Sequence, residues 1–298
     1  MATSDRTAVI TGGTSGLGRE CARALAADPR WTVIVTGRDA DRAQAEAAAI
    51  GAQAATLDLG ALASVDHFAD ESRRRGLPPL HALVCNAGLQ FTRRSYTADG
   101  VEATFGVNHL GHLALVHALL DDLIASARIV FVTSGTHNPD QFTGMPDPLD
   151  TDVRQLAYPP ESTEPAQRDG RRRYSTSKLA NLQTTYELAR QFEPRGITVN
   201  AFDPGLMPGT GLARDAGAAA KLLWRTVARG LVLLPGVNTP RRSGADLAWL
   251  VNDPSLDKVT GQHFVGRTAK PSSKASYDRD AQHALYTESL ELLDELAH

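Results

Sequence analysis

The sequence is short of the features that mark several large protein classes. Among 298 residues there are two cysteines, Cys21 and Cys85, too few for a disulfide framework and in keeping with a reducing compartment. The charges nearly cancel, with 31 Lys+Arg against 34 Asp+Glu, so the basic excess of a dedicated nucleic-acid binder is missing. No stretch approaches the ~20 apolar residues of a membrane span. The opening MATSDRTAVIT carries one Arg and no apolar run ahead of a strand-like segment. That predicts no secretory leader and a cytoplasmic location. What is present is 42% hydrophobic residues at a net charge of −3, which excludes wholesale disorder. A chain of roughly 300 residues can remove about 75% of its unfolded surface from water.

Short β-branched runs alternate with longer helical stretches, the pattern of βαβ units on a parallel sheet. Strands are predicted at 7–11 (TAVIT), 32–36 (TVIVT), 54–57, 81–85 (HALVC), 128–133 (RIVFVT), 197–202 and 263–265. Helices are predicted at 16–27, 39–50, 61–75, 101–125, 174–192 and 278–296. Two segments break the rhythm. Residues 135–173 include six prolines, and 206–242 mixes Gly and Pro with a helical-looking 216–230. Neither reads as a linker, so the expectation is an α/β fold: one Rossmann-type, doubly wound domain over 1–298, with helices on both faces of a parallel sheet and two excursions. Long loops of this kind are usually functional, and a substrate lid is the expected use of 135–173.

The first strand runs into Gly12-Gly13-Thr14-Ser15-Gly16-Leu17-Gly18 and then a helix. Glycines there permit a tight turn and let backbone N–H groups approach a pyrophosphate at the positive end of the helix. The spacing is GxxxGxG, which follows the principle of the dinucleotide turn without its commonest fingerprint. The second strand ends Thr36-Gly37-Arg38-Asp39. Arg38 is placed to pair a 2′-phosphate, pointing to NADPH/NADP+ over NADH/NAD+. Asp39 either caps the next helix or faces the ribose, and the Ala-rich helix after it favours the cap. Farther on, Tyr174 and Lys178 stand four apart in a helical stretch and so share a face. An ammonium beside a phenol lowers its pKa by up to about three units, which would fit Tyr174 for acid–base work near neutral pH.

Taken in order, TGGTSGLG (11–18), Asp58-Leu59, Asn86-Ala87-Gly88, Asn108 in VNHLGH, Ser134 in FVTSG, Tyr174-x-x-x-Lys178 and Asp203-Pro204-Gly205 resemble the short-chain dehydrogenases/reductases. The segments NHLGH and YSTSKLAN are most similar to the branch holding retinol dehydrogenases and protochlorophyllide reductases. The resemblance implies a catalytic tetrad of Asn108, Ser134, Tyr174 and Lys178. Ser134 would hold the reacting oxygen, Lys178 the nicotinamide ribose, and Asn108 a water chain that resupplies the proton. It further implies that Asp58 and Leu59 meet the adenine, that Asn86, Ala87 and Gly88 line the adenine-ribose side, and that Pro204 and Gly205 shape the nicotinamide end. The function expected is an NADPH-dependent oxidoreductase acting on a carbonyl or alcohol of a bulky apolar or polycyclic small molecule. The alternative is a non-catalytic NAD(P)-binding sensor or scaffold, against which the intact tetrad argues.

The family's Thr after Pro-Gly falls near Gly209 and Thr210. Light-driven members use a cysteine near the site, and 135–173 contains none. His109 and His112 are expected to pack beside Asn108 without binding metal, and Cys85 to lie in the core. Arg171–Arg173 reads as a solvated charged face. Members of the family often pair as homo-oligomers through the long helices, a face the C-terminal tail here is placed to cover.

Overall fold

The computed structural model describes residues 4–207 and 237–298. An eight-stranded sheet runs in the order β3-β2-β1-β4-β5-β6-β7-β8, parallel except for the last pair. Its strands are β1 (Arg6–Ile10), β2 (Trp31–Gly37), β3 (Gln53–Thr56), β4 (Leu80–Cys85), β5 (Leu123–Val132), β6 (Thr198–Asp203), β7 (His263–Val265) and β8 (Thr268–Ala269). The order reverses between β1 and β4. In an open α/β sheet that switch point, at the carboxyl ends of the strands, is where ligands bind.

Alternation along each strand divides the core in two. From β1, Ala8 and Ile10 join Leu17, Cys21 and Leu25 of α1 (Gly16–Ala26) and Leu247 and Val251 of α8 (Pro240–Asn252). Val9 points the other way, into a cluster with Phe68 of α3 (Leu62–Arg74), Leu113 of α5 (Gly111–Ala118) and Leu188 of α7 (Ala166–Phe192). Each such side chain contributes about 1.5–3 kcal/mol by leaving water. The α1–α8 crossing is close because residue 244 is glycine; a Cβ there would stand 2.4 Å from the Glu20 Cβ.

Several expected elements are redrawn. The helix expected at 101–125 is a short α4 (Ala103–Phe105), a π-helical turn over Gly106–Leu110, and α5; β5 already begins at Leu123. The turn between them is tied by Leu123 N–H to the Leu119 carbonyl. Residues 135–173 are not one loop. They hold α6 (Val153–Ala157), capped by Asp152 on the Gln155 amide, and the first turns of α7, which starts eight residues ahead of Tyr174. The helix α8 was not expected, although Thr239 caps it and Pro240 opens it, a common start. Helix α2 (Ala40–Ile50) is capped by Asp39, whose Oδ1 accepts from the Arg42 amide at 3.0 Å. The C-terminal α9 (Arg279–Leu296), capped by Asp278, lays Leu285 and Leu292 into a cluster with Ala180 of α7 and Val153 and Leu156 of α6. It thus covers one side of α7. The helical-looking 216–230 and Thr210 lie outside the described residues.

Candidate active site

Glycine geometry builds the turn after β1. Gly12 and Gly16 adopt φ of +63° and +55°, a region side-chain-bearing residues rarely enter. A Cβ on Gly18 would stand 2.4 Å from Asn86 Nδ2 and 2.8 Å from the Gly12 carbonyl, so the turn closes only on glycine. Ser15, the residue before α1, is exposed and makes no side-chain cap. The first amides of the helix therefore keep their hydrogen-bonding capacity for an anion. In front of Gly16 there is open space where a Cβ would point. Thr14 packs against the end of β2, its Cγ2 2.8 Å from where a Gly37 Cβ would be. Leu17 faces the core. This arrangement fits the pyrophosphate of a dinucleotide.

The neighbouring predicted residues line the same edge. Arg38 is exposed at the end of β2, while Asp39 is turned to its cap. Asp58 Oδ1 accepts from the Gly60 amide at 2.9 Å. Leu59 is buried, and its carbonyl presses on α5 at Gly111, where a Cβ would come within 2.2 Å. After β4, Thr11 organises Asn86-Ala87-Gly88: its hydroxyl accepts the Asn86 and Ala87 amides, each at 2.9 Å. Asn86 Nδ2 donates back to the Thr11 carbonyl at 2.7 Å. A Gly88 Cβ would lie 3.6 Å from both Asn108 Oδ1 and Lys178 Nζ, which places all three at one point.

Asn108 sits in the π-helical turn, a distortion frequent at functional sites. Its side chain is fully used. Oδ1 accepts the Leu89 amide at 2.9 Å, and Nδ2 donates to the Leu89 carbonyl at 2.9 Å and Ser177 Oγ at 3.0 Å. Ser177 Oγ in turn donates to the Tyr174 carbonyl at 2.8 Å. The Asn108 carbonyl accepts from His112 Nδ1 at 3.1 Å. His112 Nε2 then receives the Thr11 hydroxyl at 2.9 Å. Burial pushes His112 down to about 3 against the Asn108 hydrogen bond, so the ring stays neutral. Thr11 and His112 are thus supports the motifs alone do not reveal. Among the described residues no group of three or more His, Cys, Asp or Glu could hold a metal.

Ser134 follows β5, and its side chain lies beside the Tyr174 hydroxyl. Lys178 Nζ lies 5.5 Å from the Tyr174 ring centroid and donates to the Val132 carbonyl at 2.9 Å. The shift of Tyr174 runs opposite to the one expected. Burial raises the phenol, the negative charge of Asp203 raises it further, and the Ser134 side chain beside it works against them. Lys178 is itself pushed down by burial to about 8, with Asp203 working against that fall. The phenol is therefore protonated at neutral pH. Beyond β6, Pro204 is pinned by its carbonyl, which accepts from Ser243 Oγ at 2.8 Å and Asn238 Nδ2 at 2.9 Å. Gly205 takes φ +73° and donates to Asp203 Oδ1 at 2.8 Å.

The arginines before Tyr174 do not form a solvated face. Arg171 is exposed, but Arg172 pairs with Glu164 at 2.7 Å, and Arg173 is buried with its Nη1 2.6 Å from the buried Glu102 Oε1. Glu102 Oε2 also caps α4 at the Phe105 amide, 2.9 Å away. The pair thus joins the residue before Tyr174 to the turn that leads to Asn108. Cys21 and Cys85 are buried in the core and their thiols are pushed up by it, so neither is a nucleophile.

The sequence profile described as short chain dehydrogenase matches residues 6–144. Protochlorophyllide reductase A of Oryza sativa subsp. japonica is 38% identical over 276 residues, spanning 84% of this chain and 70% of that protein. Protochlorophyllide reductase of Avena sativa is 36% identical over 84% of this chain and 86% of its own length. Among solved structures, an uncharacterized protein from Mycobacterium Paratuberculosis superposes with a TM-score of 0.72 at 28% identity, covering 98% of this chain and 94% of that one. A short chain dehydrogenase from Burkholderia cenocepacia J2315, solved in complex with NADP, gives 0.63 at 27% identity over 88% and 96%. No helix among the described residues is long and apolar enough to cross a membrane.

Proposed function

The chain belongs to the short-chain dehydrogenase family, on its protochlorophyllide-reductase-like branch, and is an NAD(P)-dependent oxidoreductase; from that premise we propose that it uses NADPH to reduce the carbonyl of a bulky apolar or polycyclic molecule, or oxidises the matching alcohol. The observation that carries this reading is the Tyr174 hydroxyl. It lies beside Ser134, is backed by Lys178 and is held protonated by burial. A buried phenol in that state is ready to give its proton to a carbonyl oxygen. Ser134 would hold the same oxygen as charge develops on it. Lys178 would place a cation beside the phenolate left behind. Asn108, saturated by Leu89 and Ser177, fixes the floor on which Tyr174 stands. When bound, the nicotinamide supplies the hydride.

The cofactor would lie along the edge already described. Gly12, Thr14, Ser15, Gly16, Leu17 and Gly18 would take the pyrophosphate, Asp58 and Leu59 the adenine, and Asn86, Ala87 and Gly88 the adenine-ribose side. Lys178 would hold the nicotinamide ribose, with Tyr174 beside it and Pro204 and Gly205 at the nicotinamide end. Two facts favour NADPH. The Asp39 carboxylate is occupied by its cap, and the exposed Arg38 guanidinium stands free beside it to pair a 2′-phosphate. The Burkholderia relative solved with NADP supports the same choice. For the substrate class, Phe142 is fully exposed and Leu206 is 56% exposed, on the segments that leave β5 and β6 beside Ser134 and Pro204. Exposed apolar side chains there suit an apolar partner. The relatives' own substrate is not carried over.

A panel of ketones and aldehydes of increasing apolar bulk, followed by loss of NADPH absorbance, tests this reading. Tyr174→Phe is expected to lower kcat about 100- to 10,000-fold while NADPH binding stays near the parent value. A Phe variant that keeps most of its turnover overturns the assignment.

A further inference from the structure

Asp203 is a buried carboxylate at the corner where Tyr174 and Lys178 meet the sheet. It ends β6 two places after Ala201, so both side chains leave the same face, where Ala201 packs on Leu182 and Tyr186 of α7. In the parallel pairing of β6 with β7, Ala201 stands opposite His263 and Asp203 opposite Val265. The His263 side chain therefore shares that face, and His137 packs edge-on against it with ring centroids 5.3 Å apart. Lys178 reaches the same corner. Its Nζ donates to the carbonyl of Val132, which pairs with Phe202, the neighbour of Asp203. Asp203 Oδ1 accepts the Gly205 amide at 2.8 Å, and Oδ2 would lie 3.4 Å from a Cβ on Gly135, the residue after Ser134.

Two imidazoles face this corner. His137 Nδ1 faces the Ser134 carbonyl at 2.6 Å and His263 Nδ1 faces the Lys270 carbonyl at 3.2 Å. A carbonyl only accepts, so each Nδ1 carries the proton and each Nε2 a lone pair. Both Nε2 atoms are buried without a partner. Burial pushes His137 down to about 4 and lowers His263. On the far side of Lys178, His112 is neutral as well. Lys178 and the protonated form of His263 are the cations that act on Asp203.

We propose that Asp203 is a positioning residue for proton transfer: its buried carboxylate holds Lys178 as ammonium and Tyr174 as phenol, and so sets the pH at which that pair changes its protonation. The proposal rests on the reading of Tyr174 as the acid–base group. The signs agree across the cluster. Asp203 raises Lys178 against burial, and it adds to burial in raising Tyr174. Burial raises Asp203 in turn, while the Gly205 and Gly135 amides, His263 and Lys178 bring it down. Removing this charge therefore lowers both Lys178 and Tyr174. The alkaline limb of carbonyl reduction, where the phenol is lost, moves to lower pH. The acid limb of alcohol oxidation, where the phenolate appears, moves the same way.

The test is an NMR titration of the full chain with 13C-labelled lysine. The sequence holds five lysines, and the Lys178 signal is identified by its loss in Lys178→Met. Asp203→Asn keeps an oxygen for the Gly205 amide; Asp203→Ser serves if the Asn variant does not fold. Loss of the Asp203 charge is expected to move the Lys178 midpoint down by about one pH unit, from about 8 in the parent, with the reduction profile moving in parallel. An unmoved Lys178 midpoint overturns the proposal while the catalytic reading stands. A midpoint that moves with an unmoved profile reduces Asp203 to a structural ion partner and overturns it too. Full turnover in Tyr174→Phe would overturn the catalytic reading, and with it the role of Asp203, even where the lysine titration responds.

Discussion

In the turn after β1 the atoms that would meet a ligand belong to the backbone; around β5, β6 and β7 they belong to side chains. The turn at 12–18 works through amides and through the absence of Cβ atoms at Gly12, Gly16 and Gly18. The other half works through Ser134, which is half-buried, and through Tyr174, Lys178 and Asp203, which are buried. The two halves should therefore fail differently. A change in the first should act on cofactor affinity, because a turn that no longer closes cannot aim its amides. A change in the second should act on stability and on proton transfer, because a buried charge without its partner is expensive.

The largest effect is expected from Arg173→Met. It leaves the Glu102 carboxylate, 1% exposed, without its cation, at a cost of about 3–5 kcal/mol, read as a lower urea midpoint at unchanged slope. The double variant Glu102→Leu/Arg173→Met removes the stranded carboxylate and should recover part of that loss, the remainder being the Phe105 cap and the Arg173 contact to Asp169 that it also gives up. A single variant as stable as the parent would mean that the pair holds neither α4 nor the start of α7. The comparison would then fail on its side-chain half.

How much of this was legible in the sequence follows the same division. Local signals found the first half. TAVIT followed by glycines fixed β1, the turn and α1 to within a residue at each end, and Asp39 capped α2 as its place before an Ala-rich run suggests. The strand at His263–Val265 was found to the residue. Long-range partners were not visible. Three consecutive arginines read as a solvated face because nothing near them in sequence reveals Glu102, which meets Arg173 across 71 positions. The helix expected at 101–125 ran on through apolar residues that a buried strand uses equally well, so the start of β5 at Leu123 was hidden. For α8, Thr239-Pro240 was a usable start signal lost among neighbouring glycines and prolines. Tyr174 and Lys178 were found by motif, but the sign of their electrostatics was not. It depends on burial and on Asp203, neither of which a four-residue spacing contains.

A middle-sized effect tests the backbone half. Gly18→Ala would put a Cβ 2.4 Å from Asn86 Nδ2 and 2.8 Å from the Gly12 carbonyl, and the strain of such overpacking is about 1–3 kcal/mol. The affinity for NADPH, followed by nicotinamide fluorescence, should fall by at least about tenfold. At saturating NADPH the turnover should stay near the parent value, because Ser134, Tyr174 and Lys178 are untouched. If turnover collapses while affinity holds, the two halves are not separable in the way drawn here.

The smallest effect is the most specific. Arg38 is exposed at the end of β2, so its removal leaves no buried partner and should not change stability. Its contribution is one charge-assisted contact to a phosphate in a wet, half-screened setting. Hydrogen bonds to charged groups are worth about 1.5–3 kcal/mol, and exposure and salt place this one at the low end. Arg38→Ala should therefore weaken NADPH binding by about tenfold and leave NADH binding unchanged, since NADH has no 2′-phosphate to lose. The NADPH affinity of the parent should also fall as salt rises, and that dependence should flatten in the variant. An NADPH/NADH ratio equal in parent and variant would remove Arg38 from the site. It would then place the discrimination with groups other than this arginine, and Asp39, whose carboxylate is committed to the Arg42 amide, could supply it only by giving up its cap.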